Sequence, residues 1–211
     1  MKAAIIAAGL GERLQTAGIN IPKPLVPVAG RPLIDYALGA VHDAGIRQVA
    51  CIVNQIHSGI EEHCRSAWPT LHFEFIRRTT PSSMESLFAL APLLDQRFVL
   101  LTVDSIFAPG VLDEFLADAG ASGADGVLAV TDHVDDEKPL WARFDDTGRI
   151  TALGASAAGS GWITAGVYVF EPRVFAEIEA ARAAGCNALR QFLGHLLACG
   201  YRLDAAAIGT S

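Results

Sequence analysis

Residues 1–26 read MKAAIIAAGLGERLQTAGINIPKPLV, and the fold turns on how this stretch is taken. Ala3 to Ala8 form a continuous apolar run, the pattern of a strand buried on both faces, as strands of parallel sheets are. The run passes directly into Gly9 and Gly11, without a charged or turn-forming residue between. Two well-known phosphate-loop patterns fail here. A GxxxxGK[ST] loop needs a lysine straight after a glycine, and a GxGxxG fingerprint needs a third glycine where Leu14 stands. Glycines at 9 and 11 still let backbone N–H groups approach a polyphosphate with no Cβ in the way. Arg13 adds a fork for phosphate oxygens and Lys23 a point charge, with Pro22 and Pro24 stiffening the backbone on either side of it.

Outward from this stretch, apolar strands alternate with alanine-rich helical segments, which is the α/β pattern. The sequence predicts a helix from Arg31-Pro32 to about Ala44, with Gly45 as its stop. Strands follow at 47–54, 71–77, 98–104 and 126–132, with helices at about 58–67, 82–94 and 110–119 between them. WARFDDTGRITALG (141–154) reads as a hairpin about Asp145-Asp146-Thr147-Gly148. Another apolar strand is expected at 162–170, helices near 172–184 and 187–199, and a last strand near 201–208. The regular alternation breaks after residue 125. One domain over residues 1–211 is therefore expected, with a doubly wound nucleotide half (about 1–125) and a mixed half (126–211).

The chain has 211 residues, 51% hydrophobic and 18% charged, enough for a sizeable core. No apolar run approaches the roughly 18 residues that span a bilayer, and Gly11-Glu12-Arg13 interrupts the first run too early for a signal peptide. A cytoplasmic protein is expected. The formal net charge of −7 argues against nucleic acid. Residues 1–80 nevertheless carry a balance of +2 and residues 81–211 one of −9, so anion-binding equipment belongs to the first half. Cys51, Cys64, Cys186 and Cys199 form no CxxC pair and read as reduced core thiols rather than metal ligands.

Two further features carry chemistry. FVLLTVD (98–104) is an apolar strand ending in Asp104, at the strand edge where open α/β sheets bind ligands; its carboxylate suits a Mg²⁺ ion bridging phosphates. PSSMESLFAL (81–90) is a capped helix start whose Ser83, Glu85 and Ser86 are candidate contacts to a nucleotide.

AAGLGERL followed by PKPLVPVAGRPLI resembles the signature of the sugar-1-phosphate nucleotidyltransferases, the NDP-sugar pyrophosphorylases. The resemblance implies a Rossmann-like, doubly wound, mostly parallel sheet of the GT-A-like nucleotidyltransferase kind with an added mixed hairpin region. It implies transfer of a nucleoside monophosphate from an NTP to a phosphorylated acceptor, with release of pyrophosphate. Ala8, Gly9 and Gly11 would wrap base and phosphates, Arg13 and Lys23 would be catalytic cations, and Asp104 would hold Mg²⁺. The family reads GD where this chain has Val103-Asp104. WITAGVYVF (162–170) is similar to the family's NAGIYVF strand, which makes Thr164 and Gly166 acceptor-binding candidates, and Lys138 before Pro139 is a further candidate for an acceptor's anionic group. Many relatives carry a second metal-binding aspartate at the end of the last strand, where Ala207 stands here.

Two other readings remain open at this point. One is a choline-phosphate or other non-sugar cytidylyltransferase, for which Trp68, Trp141, Trp162 and Tyr168 are candidate cage aromatics. The other is a nucleotide-binding regulatory module without turnover. An NAD-dependent oxidoreductase is disfavoured by Leu14 and by Asn54 at the second strand end, where an acidic residue belongs.

Overall fold

A computed structural model describes residues 1–9, 11, 14, 16, 18, 21–133 and 138–209. In chain order the described elements are β1 (Lys2–Ala7), β2 (Pro27–Val28), β3 (Arg31–Pro32), α1 (Leu33–Asp43), β4 (Gln48–Val53), α2 (Ile60–Ala67), β5 (His72–Arg77), α3 (Ser83–Leu90) and β6 (Phe98–Thr102). They continue with α4 (Val111–Ala121), β7 (Gly126–Thr131), β8 (Ala142–Phe144), β9 (Ile150–Leu153), β10 (Ile163–Phe170), α5 (Ile178–Ala183), α6 (Leu189–Ala198) and β11 (Leu203–Ala207). Seven strands form one sheet in the order β11-β7-β10-β6-β1-β4-β5. Every neighbouring pair is parallel except those made by β10, which runs against both β6 and β7. The α/β expectation is therefore met, with one reversed strand.

Alternation along β1 explains the two-sided packing. Ala3, Ile5 and Ala7 point into a core shared with α1, α2 and α4. Ala4, Ile6 and Ala8 point into a second core shared with α3, α5 and α6. Both sets are buried, so the strand reads as unbroken apolar sequence rather than an alternating one. Burial of each large apolar side chain in these layers contributes about 1.5–3 kcal/mol.

The helix expected from Arg31 starts two residues later. Pro27–Val28 pairs antiparallel with Arg31–Pro32 around Ala29 and Gly30, whose φ angles are 49° and 80°. Two consecutive left-handed residues make the tight two-residue hairpin turn, and Ala29 is the non-glycine residue held there. Pro32, extended at φ −52° and ψ 138°, is then the N-cap of α1.

The hairpin at β8 and β9 forms as expected. Asp145 Oδ1 accepts from the backbone N–H of Thr147 and Arg149 and from the Thr147 hydroxyl, and Gly148 takes φ 81°. Its turn docks on edge strand β11, where the Ala205 N–H donates to the Gly148 carbonyl at 2.7 Å. No helix among the described residues is long and apolar enough to cross a membrane. Of the four cysteines, Cys51 and Cys64 are core thiols as expected, whereas Cys186 is half-buried and Cys199 exposed.

Candidate functional site

Six of the seven sheet strands point the same way, and the loops at their carboxyl ends border two adjoining clefts. The first, of about 730 Å³, is lined by Ala8, Gly9, Gly11, Lys23, Thr80, Ser82, Ser83, Ser86 and Asp104, with Leu14, Val26 and Leu33 as its apolar wall. The second, of about 540 Å³, is lined by Ser105, Thr131, His133, Thr164, Gly166, Tyr168 and Arg190. Ser83, Thr102 and Asp104 border both.

The first cleft is built on β1. Its end is braced from β4 by Asn54, a fully buried amide that donates to the Ala8 carbonyl at 2.9 Å. The Asn54 oxygen accepts from the Ile56 N–H and the Thr79 hydroxyl. Gly11 has φ 65°, and a Cβ there would lie 3.3 Å from Lys23 Cβ, so a side chain at this position would be strained and would crowd the lysine. Arg13 lies outside the described residues.

Lys23 opens a short 3₁₀ turn, Lys23–Leu25, between two prolines that fix φ on both sides. Its Nζ reaches Asp104 Oδ2 at 2.6 Å. Asp104 follows β6 directly, with Val103 turned into the core. Partial burial pushes the Asp104 carboxyl up, but hydrogen bonds from Lys23 and Thr102 outweigh it, and the group ends below its ordinary 3.8. It is therefore a carboxylate at neutral pH.

On α3, Ser82 is the N-cap and accepts from the Glu85 N–H. Ser83 faces the seam between the clefts, and buried Ser86 pairs with the Thr80 hydroxyl at 2.6 Å. Glu85, expected beside the nucleotide, points elsewhere. Its carboxylate receives both arms of Arg182 from α5, at 2.7 and 3.0 Å, and it lines neither cleft.

The second cleft owes its floor to β10. The pairing of β10 with β7 slips between Thr164 and Tyr168, a bulge that takes Ala165 and Gly166 out of the ladder. Gly166 has φ 78°, and a Cβ there would meet Ser105 Oγ at 2.9 Å. Thr164 keeps its N–H on the Leu140 carbonyl, leaving its hydroxyl near that of buried Tyr168. Burial pushes the Tyr168 phenol up, so it stays neutral. Lys138 is exposed, two residues from Leu140 in the cleft wall, and does not itself line the cleft.

Sequence reasoning missed Arg190. It sits in the first turn of α6, is exposed, and has no hydrogen-bond or ion-pair partner among the described residues. Among the described residues it is the only arginine or lysine that lines the second cleft. The four aromatic residues considered for a cation cage do not converge. Only Tyr168 lines the second cleft, while Trp68 donates to Asp35 and Trp162 packs edge-on against Phe144.

For a divalent cation, the donors at the seam are hard oxygens: the Asp104 carboxylate with the Thr102 and Ser105 hydroxyls beside it. That set fits Mg²⁺, which takes one or two carboxylates and completes its shell with phosphate oxygens and water. Ala207 at the end of β11 offers no side-chain ligand.

Two clefts meet at a strand-end carboxylate paired with a lysine, the larger of them lined by the glycines that follow β1, on an α/β sheet. The chain belongs to the nucleotidyl transferase family, whose model matches residues 2–200. It is 32% identical over 171 residues to the CMP-5'-(3-aminopropyl)phosphonate synthase of Streptomyces rubellomurinus, covering 71% of this chain and 27% of that protein. It is 30% identical to the catalytic subunit beta of mannose-1-phosphate guanylyltransferase from Drosophila melanogaster, covering 84% of this chain and 50% of that one. The chain thus spans half or less of the length of these two relatives. Among solved structures, the inositol-1-phosphate CTP transferase from T. maritima superposes with a TM-score of 0.86 at 20% identity, over 98% of this chain and 84% of that one. That likeness establishes the shared fold.

Proposed function

We propose that the chain transfers a nucleoside monophosphate from an NTP to a small acceptor bearing a phosphate or phosphonate, releasing pyrophosphate. The observation that carries this reading is the pair of clefts meeting at Asp104, with Lys23 2.6 Å away. The first cleft takes the NTP, with the backbone of Ala8, Gly9 and Gly11 against the nucleotide and Ser83 and Ser86 beside it. The second takes the acceptor, against Thr164 and the open backbone at Gly166. An acceptor oxygen attacks the α-phosphorus as the bond to the β-phosphate oxygen breaks, and pyrophosphate leaves with the electron pair. Lys23, together with Arg13, offsets charge on the leaving pyrophosphate, and the protein's share of catalysis is positioning and electrostatics. Mg²⁺ bound through Asp104 would neutralise phosphate oxygens and hold them in register. A cytoplasmic location suits this reading, since nucleoside triphosphates are abundant there.

Arg190 supports an acceptor that presents an anion to the second cleft, and it is better placed for this than Lys138. A cytidylyl transfer to a non-sugar acceptor is the second reading, supported by the CMP-linked phosphonate product in the name of the Streptomyces relative. The dispersed aromatics turn that reading away from quaternary ammonium acceptors.

The test is pyrophosphate release with each of four NTPs against sugar 1-phosphates, inositol phosphate, aminoalkylphosphonates and phosphocholine. Turnover with one pair, lost in Lys23→Ala and Asp104→Ala, supports the proposal. Turnover unchanged in both variants refutes the site. Tight NTP binding with no pyrophosphate from any acceptor would make the chain a regulatory module.

A further inference from the structure

Outside both clefts, three side chains of different chemistry converge where the carboxyl end of α6 meets the 3₁₀ segment Pro172–Glu177. His195 Nε2 lies 3.0 Å from Glu177 Oε2 and 3.5 Å from Cys199 Sγ. All three ligand atoms fall within 4.8 Å of one another. We propose that Glu177, His195 and Cys199 form a binding site for a transition-metal dication of the zinc type, separate from the Mg²⁺ that nucleotidyl transfer requires.

Geometry carries this assignment. Tetrahedral zinc holds imidazole nitrogen and carboxylate oxygen at about 2.0–2.1 Å and thiolate sulfur at about 2.3 Å. The edges of such a tetrahedron are roughly 3.3 Å between nitrogen and oxygen and roughly 3.5 Å between nitrogen and sulfur. The two separations from His195 Nε2, 3.0 and 3.5 Å, lie close to these edges, and the third, between Glu177 and Cys199, is within 4.8 Å. His195 and Cys199 stand four residues apart, one turn of α6, so they project from the same face. Glu177 comes from a different element, and its other oxygen accepts from the Tyr201 hydroxyl at 3.2 Å, which fixes the carboxylate with Oε2 toward the histidine. Outer partners of this kind orient metal ligands.

The donor set decides the metal. One imidazole, one thiol and one carboxylate suit Zn²⁺ or Co²⁺, whereas Mg²⁺ prefers oxygen alone. His195 and Glu177 are partly covered and Cys199 is exposed, so the fourth position is open to water. Binding releases the Cys199 thiol proton to solvent and takes His195 as neutral imidazole with its N–H on Nδ1, so that the sulfur and Nε2 lone pairs go to the metal. The site lies at one end of α6 while Arg190 lies at the other, so a metal would clip the helix that walls the second cleft to the 3₁₀ segment beneath it.

Co²⁺ serves as the probe. Added to chelator-treated protein, it should give a thiolate-to-cobalt charge-transfer band and an intense visible band from a four-coordinate centre, saturating at one equivalent. Cys199→Ser should abolish the charge-transfer band, and His195→Gln should weaken binding at least about tenfold. Cys186→Ser and Asp104→Ala should leave both bands intact, which separates this site from the nucleotide site whatever the outcome there. Absence of a thiolate band in the wild-type protein, or its survival in Cys199→Ser, overturns the proposal. Circular dichroism of each variant verifies that lost binding is not lost fold.

Discussion

Lys23 Nζ stands 2.6 Å from Asp104 Oδ2, so two groups 81 positions apart in the chain neutralise each other at the seam of two clefts. Each therefore holds the other in place. Lys23→Ala should lower kcat/KM for pyrophosphate release by about 10²–10³-fold, the range seen when one preorganised charge-stabilising donor is removed. Lys23→Arg should recover little of it, because a planar fork does not fit a point-charge position braced by two prolines. Steady-state kinetics at saturating Mg²⁺ measures both.

Arg190→Ala should raise KM for the acceptor by roughly tenfold to a hundredfold, the worth of one hydrogen bond to a charged group. KM for the NTP should stay unchanged, because Arg190 lines only the second cleft. Equal changes in both constants would place the nucleotide, not the acceptor, against this arginine.

Gly166→Ala meets two penalties at once. The left-handed backbone costs a side chain about 1–2 kcal/mol, and the new Cβ would press on Ser105 Oγ. Denaturant unfolding should show that loss, and acceptor KM should rise with it, since Ser105 borders the same cleft.

Glu85→Gln separates a structural role from a nucleotide contact. The Arg182 hydrogen bond holds the Glu85 carboxyl below its ordinary 4.5, more strongly than burial raises it. A depressed carboxyl contributes stability that is present above the unfolded-state value and lost as pH falls through the folded-state value. The difference between wild type and Glu85→Gln should thus be full at pH 7 and vanish in strong acid. Arg182 is well exposed, so screening limits the pair to about 1 kcal/mol, or about 2–4 °C in Tm. KM for the NTP should not move.

Asn54→Ala removes the amide that ties β1 to β4 at the loop. It strands the buried Ala8 carbonyl, at about 1–3 kcal/mol. Weaker NTP binding should accompany the lower unfolding free energy in titration calorimetry.

The sheet was legible because its strands are apolar throughout and its turns carry their own chemistry, as Asp145 to Gly148 do. The reversal of β10 was not, since a buried strand reads the same in either direction. Lys23 and Asp104 each stood out in the sequence by residue type and position, but their pairing at 2.6 Å belongs to the tertiary fold. Glu85 turns to Arg182 rather than to either cleft, and spacing carried that: Ser83 and Ser86, three apart, share one helix face, and Glu85 lies off it. Arg190 had no signal, because only the packing of α6 brings its first turn to the cleft. His195 and Cys199 did have one, a four-residue spacing from the last turn of α6 to its C-cap.

The slip in β10 has a consequence for how such a chain can change. The first cleft draws its lining from residues before position 105, whereas the second draws most of its own from residues after it. Among the described residues, only Ser83, Thr102 and Asp104 belong to both. On the proposed reading, the choice of nucleotide and the choice of acceptor are written in separate stretches of sequence. A chimaera exchanging residues 126–200 between relatives should carry its acceptor preference with it and leave its nucleotide preference behind.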